Sequence, residues 1–114
     1  MTIRPNPWNR SEWSGQKISA DGADVSDFQE TDIAEVVQYG STPPGDWDGD
    51  NAGIVLLKDG RYVGWESWWD CSGDGINRDA IGGTSDIIYG RSVNAVMRYL
   101  SANAKSLLRN GGRP

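Results

Sequence analysis

The residues best equipped for chemistry are carboxylates. Two runs place an acid or hydroxyl at every second position, Asp46-x-Asp48-x-Asp50 and Asp70-x-Ser72-x-Asp74-Gly75. That spacing supplies positions 1, 3 and 5 of a calcium-binding loop. In the first run position 6 is Asn51 rather than glycine, and position 12 is Leu57 where a bidentate glutamate belongs. In the second run position 12 is Ile81, and position 8 is Asn77 where an apolar residue is usual. Helices of a true hand flank neither run. Both are therefore expected to be acidic turns with Asx-type bonds to the backbone, and no metal is expected. A further acid, Glu66, stands among Trp65, Trp68 and Trp69, the company of a carboxylate that cleaves sugars. Such catalysis needs a second carboxylate within roughly 5 to 9 Å. Asp70, on the same strand and face, would stand about 13 Å away.

Other catalytic groups are missing from the composition. The chain has no histidine, which removes Ser-His-Asp and Cys-His pairs, imidazole bases and the common zinc and haem ligand sets. Cys71 is the single cysteine, so no intrachain disulfide or thiolate cluster can form. Its neighbours Asp70 and Asp74 would raise a thiol pKa, and it is expected to be a small buried side chain. Neither G-x-x-x-x-G-K-[ST] nor G-x-G-x-x-G occurs, leaving no phosphate-cradling loop. The expectation is a protein that is not an enzyme, with no cofactor.

A chain of 114 residues holds about one domain and one modest core. Its formal charge of −5 hides a split: residues 1–52 carry ten acids and three bases, residues 53–114 six acids and eight bases. That balance argues against nucleic acid as a partner, since such binding rests on phosphate neutralisation. An acidic surface could instead meet a basic partner. There is no run of 18 apolar residues and no signal-peptide core, so a soluble cytoplasmic protein without membrane contact is expected. Six tryptophans make the chain tryptophan-rich for its size; they would serve a small core, an interface, or both.

The element around which these residues must be arranged is Gly53 to Asp70, an apolar run, Asp59-Gly60, and an aromatic run returning. Asp-Gly between two such runs is a strong hairpin signal, because a type I′ turn needs positive φ at both central positions. A two-residue turn would oppose Leu57 to Tyr62, Leu56 to Val63 and Ile54 to Trp65. One face would then carry Ile54, Leu56, Val63, Trp65 and Trp69, and the other Val55, Leu57, Tyr62, Gly64, Glu66 and Trp68.

Around the hairpin, residues 1–25 read as a flexible arm with Trp8 and Trp13 as its only anchors. Residues 26–40 fit either a helix starting at Ser26 or Asp27, or a strand at Ile33–Tyr39; the β-branched content and Gly40 favour the strand. Residues 41–52 read as a loop, and 71–90 as a glycine-rich loop with one short strand at Ile87–Tyr89. Residues 92–109 carry an apolar stripe of Val93, Val96, Met97, Leu100, Ala104 and Leu107, with Ser92 as N-cap and Gly111-Gly112 as the stop. The fold class is α+β: a small antiparallel sheet of three or four strands centred on the 53–70 hairpin, one face covered by a C-terminal helix. A single domain would span 26–110, with 111–114 as a tail.

The order of apolar strand, Lys58-Asp59-Gly60-Arg61-Tyr62 turn, aromatic strand, Trp69-Asp70-Cys71-Ser72-Gly73 and amphipathic helix resembles a set of small uncharacterised proteins of bacteria and their phages. The resemblance spans roughly residues 33 to 100. Those proteins show a later aromatic-Cys-Gln group, where this chain has Asp74-Gly75-Ile76. The resemblance carries no settled activity; it implies a phage or accessory origin and a protein that binds a host component.

The expected function is a non-catalytic protein-binding module acting on a host protein or on a second copy of itself, as a homodimer. Its surface would be Tyr62, Glu66, Trp68, Val55 and Leu57, with Trp13 from the arm. One alternative is a protein that binds a nucleotide or sugar, stacking it on Trp65, Trp68, Trp69 or Tyr62 and meeting its charge with Arg61, Arg78 or Arg91. The other is an acidic mimic of nucleic acid.

Overall fold

In the computed structural model the described residues are 8, 13, 15–41, 48–70 and 81–111. They form an α+β fold. A mixed six-stranded sheet comprises β1 (Lys17–Ser19), β2 (Ile33–Ser41), β3 (Asp48–Leu57), β4 (Tyr62–Asp70), β5 (Ile81–Thr84) and β6 (Ile87–Gly90). Two helices follow, α1 (Val93–Met97) and α2 (Ala102–Gly111). Strand order is β1-β6-β4-β3-β2, with β5 beside the second half of β4. The expected sheet of three or four strands is thus too small, because short polar segments complete it. Asp48, Asp50 and Asn51 lie in β3, not in a loop. Lys17–Ser19, within the expected arm, pairs parallel with β6.

The hairpin is where expected, but its turn is not. Leu57 N–H donates to the Arg61 carbonyl and Gly60 N–H to the Leu57 carbonyl, which closes a three-residue loop over Lys58, Asp59 and Gly60. Within the loop only Gly60 has positive φ (96°); among the described residues no non-glycine does. That is a turn followed by a glycine in the left-handed region, and it needs one such residue where a type I′ turn needs two. One extra loop residue shifts the register by one. Leu56 pairs with Tyr62, Val55 with Val63, Ile54 with Gly64 and Gly53 with Trp65. A slip of one residue exchanges faces between strands. Val63 and Trp65 therefore join Val55 and Leu57 on one face, while Tyr62, Gly64, Glu66 and Trp68 join Ala52 and Ile54 on the other.

Both faces are covered. Over the first lie Ala23 and Phe28, with Trp8, Trp13 and Val25 packed against the cluster of Val55, Leu57, Val63, Trp65, Ile87 and Tyr89. Trp13 meets Trp65 edge-on with ring centroids 6.3 Å apart, and Phe28 meets Tyr89 likewise at 6.3 Å. The arm is tied down by Arg61. Its Nη1 donates to the carbonyls of Asp24 and Ser26 at 2.9 Å each, its Nε to Asp59 at 2.9 Å, and its guanidinium lies 5.5 Å over the Tyr89 ring.

The helices cover the other face, burying Val96, Leu100, Ala104 and Leu108 against Ala52, Ile54 and Ile88. The helical region is broken rather than continuous over 92–109. Ser92 caps α1 by accepting from Ala95 N–H, as expected. A second cap, Ser101, accepts from Ala104 N–H and starts α2. Sheet positions without side chains let the helices approach. A Cβ on Gly64 or Gly90 would run into Val96, and one on Gly40 into the Leu107 backbone.

Among the described residues the tryptophans do not gather into one aromatic cluster, which corrects the tryptophan-rich expectation. Trp65 is fully buried, Trp13 is half-buried against it, and Trp68 projects on the opposite face. The expectations for Asp46, Cys71, Ser72, Asp74, Arg78 and residues 112–114 lie outside the described residues, as do the side chains of Trp69 and Asp70.

Candidate partner-binding surface

The six residues expected to form one surface are divided by the sheet. Val55 (0% exposed) and Leu57 (1%) are core, sealed under the arm, and Trp13 is part of that seal. They belong to the interior because the N-terminal segment with Trp8, Trp13, Ala23 and Phe28 packs over the face opposite the helices. Tyr62, Glu66 and Trp68 remain together on the helix-bearing face. Tyr62 is half-buried and packs against the helix cluster, while Trp68 is 49% exposed. Two of the residues expected for a nucleotide or sugar site are engaged elsewhere. Trp65 is enclosed, and the Arg61 side chain is committed to the arm.

Glu66 has a definite task. Its Oε2 accepts from Ser101 N–H at 3.0 Å and its Oε1 from the Ser101 hydroxyl at 2.7 Å. The same hydroxyl accepts from Ala104 N–H at 3.1 Å. A sheet carboxylate and a serine thus cap α2 together, where the helix dipole favours negative charge. This fixes the start of α2 over Glu66, from which the helix crosses Ala52 toward Gly40. Trp68, two residues further along β4, lies beyond the helix, paired laterally with Asp50 and Gly83.

Tyr99 was missed in the sequence. It lies in the turn joining α1 to α2 and is 52% exposed; with Trp68 it is one of two exposed large hydrophobic side chains among the described residues. The available signal was its position off the apolar stripe that Val96, Leu100 and Ala104 define. Asp86 was missed as well. Between the pairs Gly64–Ile88 and Ser67–Thr84 the β5–β6 edge holds one residue more than β4, a bulge. Asp86 lies in that bulge, and its Oδ1 accepts from Gln16 N–H at 2.8 Å at the entry to β1.

These elements enclose a half-open cleft of about 200 Å³, lined by Ile18, Glu66, Ser85, Asp86, Tyr99 and Leu100 together with Ile88. A second, more open hollow of about 350 Å³ lies by the turn, lined by Ala23, Asp24, Asp59, Gly60, Arg61 and Arg91. Its charges are largely spent internally: Arg61 is bonded to Asp59 and the arm, and the Arg91 backbone donates to Asp21. Asp24 is held below its ordinary carboxyl pKa of 3.8, first by the Ser26 hydroxyl and then by the Ser26 N–H.

Among the described residues no group of three or more acidic or cysteine side chains could hold a metal ion, and no helix is long and apolar enough to cross a membrane. Compared with family models, with curated proteins and with solved structures, the chain has no match.

Proposed function

We propose that this chain is a non-catalytic protein-binding module, of the kind that a phage or accessory gene supplies to engage a host protein, and that it binds through the side bearing Trp68 and Tyr99. The observation that carries the reading is the exposure of these two side chains, 49% and 52%, in a domain that encloses its other described large apolar groups at least in part. Tyrosine and tryptophan are favoured anchors of interfaces, because they bring large apolar area with few rotatable bonds. Glu66 fixes the helix beside them, so the aromatic side chains are presented from a braced frame.

Substitution Trp68→Ala tests the proposal. The side chain is half in water, so the melting temperature should stay nearly unchanged, while capture of the cognate protein from host extract should weaken by about 2 kcal/mol or more. If Trp68→Ala instead lowers folding stability by several kcal/mol, or captures the same proteins with the same affinity, the surface is misassigned. Sedimentation of the free chain covers the self-association form: a dimer that Trp68→Ala dissolves would make the partner a second copy.

A further inference from the structure

We infer that the cleft beneath Tyr99 receives an arginine or lysine side chain presented by the protein partner. This inference rests on the binding role proposed above and names what that surface recognises. Size is the first argument. Sites for free small ligands run from roughly 300 to 1,000 Å³, whereas this cleft holds about 200 Å³, room for one long side chain. Its lining is the second. Ile18, Ile88, Leu100 and Tyr99 contribute apolar walls, and two acidic residues, Glu66 and Asp86, line the same cleft. A long cationic side chain matches that division, with its methylene stem on the walls and its charged head at the acids.

The third argument is unspent capacity. Glu66 accepts two bonds, both from Ser101, and Asp86 accepts one, from Gln16 N–H. A carboxylate offers about four acceptor sites. No described lysine or arginine forms an ion pair with either acid; the described pairs are Lys17 with Asp27 and Arg61 with Asp59. The Tyr99 ring adds a face on which a guanidinium can stack, which favours arginine over lysine.

The test is a titration followed by the amide resonances of Gln16, Asp86 and Ser101, using the full chain at low salt. The probe is acetyl-Leu-Arg-Leu-amide, and the control is the same peptide with neutral citrulline in place of arginine. The arginine peptide should shift these resonances saturably. The citrulline peptide should bind at least about tenfold more weakly, as should the arginine peptide to Asp86→Asn. That variant keeps the oxygen that accepts from Gln16, and its melting curve checks that it folds. Absence of saturable shifts, equal binding of both peptides, or equal binding by Asp86→Asn overturns the inference. The two proposals fail separately. Peptide binding can fail while partner capture remains sensitive to Trp68→Ala, which refutes the cleft alone. Loss of that sensitivity, with the peptide still bound, refutes the wider surface alone.

Discussion

Removing the Arg61 guanidinium should loosen the segment around Asp24 and Ser26 from the core. In the folded chain this side chain is only 13% exposed, whereas its ion-pair partner Asp59 is 55% exposed. Its Nη1 reaches two carbonyls, those of Asp24 and Ser26, and its face lies over Tyr89. Hydrogen bonds from a charged donor contribute about 1.5 to 3 kcal/mol each. Both carbonyls belong to exposed residues, so in Arg61→Ala water would recover part of that. The cation–π contact adds about 0.5 to 1 kcal/mol. The Asp59 pair adds little, since exposed ion pairs contribute about 0 to 1 kcal/mol. With roughly half of the hydrogen-bond contribution recovered by water, Arg61→Ala is placed at about 3 to 4 kcal/mol of lost stability. Urea denaturation followed by tryptophan fluorescence reads the loss. Proteolysis under native conditions should then cut first within residues 20–29, the segment that Arg61 holds. Arg61→Lys should recover less than half, because an ammonium cannot reach both carbonyls and Asp59 in one planar fork. Asp59→Asn should cost no more than about 1 kcal/mol. If Arg61→Ala stays within about 0.5 kcal/mol of the parent, or Arg61→Lys equals it, the segment is held by apolar packing of Ala23, Val25 and Phe28 and not by Arg61.

Leu100, 5% exposed between α1 and α2, should lose about 2 to 5 kcal/mol on truncation to alanine, whereas Lys105→Ala should stay within about 0.5 kcal/mol; paired denaturant melts decide it. Asp24 should titrate below 3.8, because its charged form is held by Ser26. With the folded pKa depressed, its contribution to stability is full above the unfolded value and is lost as pH falls through the folded one. A carboxyl resonance titrating at or above 3.8 refutes this, and Ser26→Ala should return the midpoint toward that value.

Much of the frame was legible because local chemistry and tertiary packing agree. The β-branched run at 33–39 became β2, and the stripe through Val96, Leu100 and Ala104 is the one the helices bury. The breaks in legibility have specific causes. The helical region was read as continuous because Ser101 looks like one more polar-face residue; its capping role depends on Glu66, 35 residues earlier. Lys17–Ser19 has no strand period of its own, and its pairing comes from a parallel partner 70 residues later. Asp48 to Ala52 carry turn chemistry in sequence, yet pairing with β4 along the whole stretch, and with β2 at Asn51 and Ala52, overrides it.

The largest consequence came from the smallest error. Counting Lys58 as strand rather than loop places Val63 and Trp65 under the helices and Val55 and Leu57 in the open. Adding it to the loop moves Val63 and Trp65 onto the face of Val55 and Leu57, since side chains alternate with a period of two; that face stays opposite the helices and is buried by the arm. Among the described residues, the arm packs over one sheet face and the helices over much of the other. What remains accessible is set by where α2 begins. Because Glu66 and Ser101 fix that start, the helix leads away from Trp68, and the turn before it turns Tyr99 outward. The exposure of Trp68 and Tyr99 therefore follows from a helix cap rather than from an uncovered strand. A change at Ser101 should disturb binding and folding together, whereas one at Trp68 should disturb binding alone.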